Sequence, residues 1–261
     1  FWVSFVSHFS LLFLTSKVSQ IDGIDHRPII FLPGTLCDQR LFKHQLEYFS
    51  KYRDVYVANF NSCKTIKEMA EEVLKLTDRC FDLVGLSMGG IVAFEVIRQN
   101  SNLVKSLVLL DTNYAGETDV NRHNRQKQLS QAQHDEGFNY LKLIEDLYPK
   151  YVAKKNIENK QLYLDVINMA RDGTLKAFMN QWNALMTRPD SLRTLTEIRC
   201  PTLIICGEED MLIPVEKHKF MNEQIKDSDL VILKECGHLS TLESPLEVNQ
   251  TIQKWYRQRE I

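Results

Sequence analysis

The sequence predicts an α/β fold: a mostly parallel sheet flanked by helices, with a helical insertion. Three observations carry this. Continuous apolar runs stop at glycine, serine or aspartate instead of alternating with polar residues, as strands buried on both faces do. Two such runs flank a helical stretch. A polar-rich segment without strand-like runs then separates the early runs from the late ones.

In chain order, Pro28 to Leu32 reads as the first buried strand, halted by Pro33-Gly34. Phe81 to Leu86 and Leu103 to Leu110 read as two more, ending at Ser87 and Asp111, with helical spacing from Ile91 to Gln99 between them. Strand, helix, strand in this order implies a right-handed parallel crossover. From Thr112 to about Arg188 the pattern is helical, including Phe138 to Tyr148 and Leu162 to Ala170. Strand signals return at Thr202 to Cys206 and Leu230 to Leu233, and a helix from about Pro245 to Arg257 closes the chain.

The 261 residues suit one domain of this class with an insertion. With 32 Lys and Arg against 34 Asp and Glu, the net charge is −2, and the charges are scattered, so no nucleic-acid partner is indicated. Six cysteines without CxxC spacing read as free thiols, which favours the cytoplasm. Phe1 to Leu14 is apolar with interruptions. It is too short for a membrane span and suits either part of an export signal or an extension, so residues 1–26 are expected to lie outside the fold. Neither a metal cluster nor a phosphate-cradling glycine loop is evident, so no cofactor is implied.

Chemistry concentrates at the strand ends. Gly85-Leu86-Ser87-Met88-Gly89 matches G-x-S-x-G between a strand and a helix, where a strained turn exposes the serine and needs glycine on either side. A serine hydroxyl is a weak nucleophile without a base and a group that orients it. His238 follows the Leu230 to Leu233 run and Asp210 follows the Thr202 to Cys206 run, so all three can share the rim at the carboxyl ends of the strands. Glu208, Glu209 and Asp111 are rival acids. For an oxyanion, the elbow supplies the Met88 N–H, and the turn after the first strand offers Thr35 N–H, with Leu36 as second choice.

With these residues in place, the chain resembles the α/β-hydrolase superfamily, in particular its small capped esterase and thioesterase branch. The resemblance covers nearly everything from Arg27 onward and rests on Leu32-Pro33-Gly34-Thr35-Leu36-Cys37-Asp38, Gly85 to Gly90, Arg188-Pro189-Asp190, Cys200 to Leu203, Cys206 to Asp210 and Gly237-His238-Leu239-Ser240. Pro33 departs from the family, where many relatives carry histidine before the glycine. The resemblance implies a core of residues 27–112 and 189–261 and a helical cap over residues 113–188. It further implies a serine hydrolase that cleaves a small to medium acyl ester or thioester through Ser87, His238 and Asp210. A receptor with a vestigial triad, and an acyltransferase or lyase using the same serine, are the alternatives. Phe138, Tyr140, Tyr148, Phe178, Met179, Trp182 and Met186 in the cap are expected mostly to pack helices, with about a third facing a pocket. The basic residues from Arg122 to Lys127 read as a solvated helix face, with contact to an anionic carrier as the alternative.

Overall fold

A computed structural model describes residues 27–260. The expectation for residues 1–26 therefore lies outside the described residues.

Six strands form one parallel sheet: β1 Ile29–Leu32, β2 Val55–Val57, β3 Phe81–Leu86, β4 Val104–Leu110, β5 Thr202–Gly207 and β6 Ser228–Leu233, in the spatial order β2-β1-β3-β4-β5-β6. The apolar runs become strands because both sheet faces are covered. Ile29, Phe31, Val84, Leu86, Val108 and Leu110 pack into one core layer, and their neighbours Ile30, Leu32, Leu83, Leu107 and Leu109 into the other. The β3 limits coincide with the apolar run read from the sequence. β2, only three half-buried residues long, carries no such run and was not anticipated.

The helices are α1 Lys43–Phe49, α2 Ile66–Leu74, α3 Met88–Asn100, α4 Asp119–His134, α5 Tyr140–Tyr151, α6 Lys160–Asp172, α7 Thr174–Met186, α8 Leu192–Glu197, α9 Val215–Gln224, α10 Ser240–Glu243 and α11 Pro245–Gln258. Between β4 and β5 the described chain is helical, and α4 to α7 lie in that interval. Their caps are legible locally: Thr118 accepts from Asn121 N–H, Asn139 from Leu141 and Lys142 N–H, and Asn159 from Leu162 N–H. None of the helices among the described residues is long and apolar enough to cross a membrane.

The strand order reverses at β1. From there the chain moves outward to β2 and then returns to β3 on the other side of β1. Loops at the carboxyl ends of β1 and β3 diverge at such a point and leave a crevice. Thr35 and Ser87 stand on its two sides.

Candidate active site

Ser87 opens α3 directly from β3 with φ 54° and ψ −115°, a backbone conformation that non-glycine residues avoid. The surroundings hold it there. Ser87 N–H donates to Leu110 carbonyl oxygen at 2.9 Å, and Thr112 Oγ1 donates to the Ser87 carbonyl oxygen at 2.6 Å. The turn also closes only because its flanks lack side chains. A Cβ on Gly85 would lie 2.6 Å from the Gly89 backbone, and one on Gly89 would lie 1.9 Å from the Leu32 carbonyl oxygen.

The Ser87 hydroxyl lies 2.9 Å from His238 Nε2, and His238 Nδ1 lies 2.7 Å from Asp210 Oδ2. Asp210 is fixed at its other oxygen, where Oδ1 accepts from Leu212 N–H at 2.8 Å and Ile213 N–H at 2.9 Å. With Oδ2 accepting from Nδ1–H, the imidazole presents a bare Nε2 to the serine. That tautomer can take the hydroxyl proton.

Rival acids take other partners. Asp111 Oδ1 accepts from Gly207 N–H at 2.9 Å and its Oδ2 from Ser240 N–H at 3.3 Å. Burial, and then the charge of Asp210, push its carboxyl well above the usual carboxylate range. Glu208 is exposed, and Glu209 Oε2 accepts from Lys154 N–H at 3.0 Å. Asp210 is thus the carboxylate bonded to His238. Burial opposes charging of His238, but Asp210 first, with Asp111 and Glu243 adding to it, raises the imidazole above its ordinary value. His218, close by, behaves oppositely: burial lowers it to about 4, and its Nε2 accepts from Thr112 N–H at 3.1 Å.

The second-choice oxyanion donor is already engaged. Leu36, at φ 55°, donates its N–H to Gln181 Oε1 at 2.7 Å, and Gln181 Nε2 in turn donates to Asn61 Oδ1 at 3.3 Å. Among the described residues, Thr35 N–H and Met88 N–H have no protein acceptor, and both residues line the cavity that reaches Ser87. Cys37 also lines it, yet burial pushes its thiol up to about 12, so it stays protonated at neutral pH and is a poor nucleophile.

This cavity, of about 480 Å³, lies under α4 to α7, with Leu143, Ile144, Val166 and Leu185 among its apolar lining. Of the seven insertion residues singled out in the sequence, Trp182 lines it, whereas Phe138, Tyr140 and Phe178 stack among themselves and against Trp182, 4.4 to 5.7 Å between ring centres. Arg125, expected on a solvated face, instead turns inward to Glu117.

Sequence reasoning missed Glu243, Gln181 and Glu117. Glu243 ties the His238 loop to the segment between α5 and α6: Oε1 accepts from Gly237 N–H at 3.0 Å and Leu239 N–H at 3.4 Å, and Oε2 from Ala153 N–H at 2.7 Å and Asn156 Nδ2 at 2.9 Å. No motif marks it, because two of its partners are nearby backbone N–H groups of a loop and the other two lie 87 and 90 positions away. For Glu117, the signal was an acid just before a helix that carries Arg122 and Arg125 one and two turns on.

Known proteins are similar in the same terms. The sequence pattern of the alpha/beta hydrolase family matches residues 29–251. A putative carbamate hydrolase, RutD, of Pseudomonas savastanoi pv. phaseolicola is 28% identical over 200 residues, 72% of this chain and 73% of the relative. The AB hydrolase superfamily protein YisY of Bacillus subtilis is 26% identical over 258 residues, 89% of this chain and 92% of the relative. Among solved structures, a thermophilic esterase from Thermogutta terrifontis superposes with a TM-score of 0.81 at 24% identity, covering 92% of each chain. The enol-lactonase from Burkholderia xenovorans LB400 does so at 0.78 with 16% identity, covering 89% of this chain and 92% of that one. At these identities the structural likeness is one of fold.

Proposed function

This chain belongs to the alpha/beta hydrolase family, and we propose that it is a serine hydrolase cleaving a small to medium carboxylic ester or thioester through an acyl-enzyme at Ser87. One observation carries the reading: the continuous chain of hydrogen bonds from the Ser87 hydroxyl through His238 to a doubly anchored Asp210.

In this mechanism His238 Nε2 takes the Ser87 proton as Oγ attacks the acyl carbonyl carbon. Negative charge then collects on the carbonyl oxygen, where Thr35 and Met88 N–H groups receive it, helped by the N-terminal end of α3. The imidazolium, steadied by Asp210, returns the proton to the leaving alcohol or thiol. Water, deprotonated by the same imidazole, then releases the acid. A cavity of about 480 Å³ with apolar walls suits short to medium acyl chains better than an extended lipid.

A panel of esters and thioesters from acetyl to palmitoyl tests this. Short members should be hydrolysed, and Ser87→Ala should lose on the order of 10⁴ to 10⁶ in kcat while folding normally. Full activity of the alanine variant would overturn the serine mechanism. Transfer to an added alcohol in place of hydrolysis would make the chain an acyltransferase, and tight binding of the panel without turnover would make it a receptor.

A further inference from the structure

The lining of the cavity carries more positive than negative side-chain charge among the described residues. Its described lining residues include three cations, Arg125, Arg188 and Lys150, and one carboxylate, Glu117. Glu117 is already matched by Arg188, whose Nη1 and Nη2 donate to its two oxygens at 2.9 and 3.2 Å and whose side chain is 8% exposed. Arg125 Nε donates to the same carboxylate at 2.8 Å. Two guanidiniums on one carboxylate leave one positive charge unmatched in a half-dry site. Lys150, exposed in the last turn of α5, has no ion-pair partner among the described residues.

Arg125 is also held ready. Its guanidinium lies 4.7 Å above the Trp182 ring centre, and Trp182 Nε1 is pinned by Gln128 Oε1 at 2.7 Å. With Nε spent on Glu117, Nη1 and Nη2 are left without an acceptor among the described residues, as a fork that accepts a carboxylate end-on. Arg122, nearby, has its terminal nitrogens on the Met186 and Glu117 carbonyl oxygens and so offers none. Immobilising Arg125 in advance lowers the entropy lost when an anion binds.

We propose that Arg125 selects substrates carrying a second, free carboxylate, so that the hydrolysed compound is a half-ester or half-thioester of a dicarboxylic acid. This rests on the ester-hydrolase reading above and names its substrate class. The carboxylate docks on Nη1 and Nη2 of Arg125 while the ester carbonyl lies at Ser87.

The test compares monomethyl esters of dicarboxylic acids of four to eight carbons with the same esters bearing a carboxamide in place of the carboxylate. In the parent, the best half-ester should exceed its amide partner in kcat/KM by about 10- to 100-fold, the range of a charge-assisted hydrogen-bonded pair. Arg125→Met, which keeps the stack on Trp182 and leaves Glu117 and Arg188 as a balanced pair, should bring that ratio close to one. Being measured within one preparation, the ratio is insensitive to partial misfolding. Binding of glutarate and adipate to Ser87→Ala, followed by calorimetry, should be lost in the double variant with Arg125→Met. If binding follows Arg125 but no ester is turned over, the anion site stands and the hydrolase reading falls. A parent ratio near one across the panel, or a ratio and dicarboxylate binding that Arg125→Met leaves intact, overturns the proposal.

Discussion

The strand-end rim and the helical segment above it both keep polar groups out of water, and they do so by opposite means. At the rim, Asp210 receives two backbone N–H groups and one imidazole, and Ser87 is locked by its N–H on the Leu110 carbonyl oxygen of β4 and by the Thr112 hydroxyl on its own carbonyl oxygen. The imidazole there faces Asp210, while Asp111, pushed up by burial and by Asp210, is met by backbone N–H groups. In the insertion, one buried carboxylate, Glu117, is shared by Arg125 and Arg188 and leaves cationic surplus beside the cavity. On the function proposed above, the contrast assigns the chemistry to backbone-anchored groups and the choice of ligand to the side-chain cluster.

Substitutions can separate the two regions, and the largest effect is expected at the rim. In Asp210→Asn the remaining oxygen goes on accepting from Leu212 and Ile213, so the amide NH₂ faces His238 Nδ1 and enforces the wrong tautomer. Turnover of a short ester should fall by about 10⁴-fold with little change in Tm. Asp111→Asn should cost far less, and if it proves the more damaging change, the rim is wired differently. Next comes Glu117→Gln, which leaves Arg188 buried without its counter-ion. Thermal or denaturant unfolding should show a loss of about 3 to 5 kcal/mol, and an unchanged Tm would mean the arginines are effectively solvated. The smallest effect is expected at the join between the regions. Glu243→Gln turns one acceptor into an NH₂ that faces two N–H donors, so stability should drop by about 2 kcal/mol. If it does not, the His238 loop is held by packing rather than by Glu243.

The same division explains what the sequence discloses. β3 with its Gly85-x-Ser87-x-Gly89 turn, and the loops holding Asp210 and His238, are legible because covalent chain order and strand-end sterics place them. Insertion contacts are different. Glu117 meets Arg188 across 71 positions, Glu243 meets Asn156 across 87, and Gln181 meets Leu36 across 145. Nothing in local periodicity marks such pairs, so Arg125 looked like one more charge on a polar helix. Helix α4 has no buried residue of its own, and its apolar pattern therefore carries no signal of an inward face. Asp111 remains a rival in the sequence for a related reason: it too follows a strand, and only side-chain geometry shows it accepting from Gly207 and Ser240.

The central claim is that neutral His238 activates Ser87 for covalent attack, and labelling by a fluorophosphonate measured against pH tests it most directly. Desolvation alone would lower the imidazole, but Asp210 more than offsets it and the folded value is raised. The protonated, inactive form therefore persists to higher pH than in a free histidine, and the same ion pair stabilises the fold below about 6.5 and ceases to do so as pH rises through the raised value. One label per chain should appear, on Ser87, at a rate that climbs with pH through a midpoint above about 6.5. A label mapped to another residue, or a rate indifferent to pH across that range, would contradict the account.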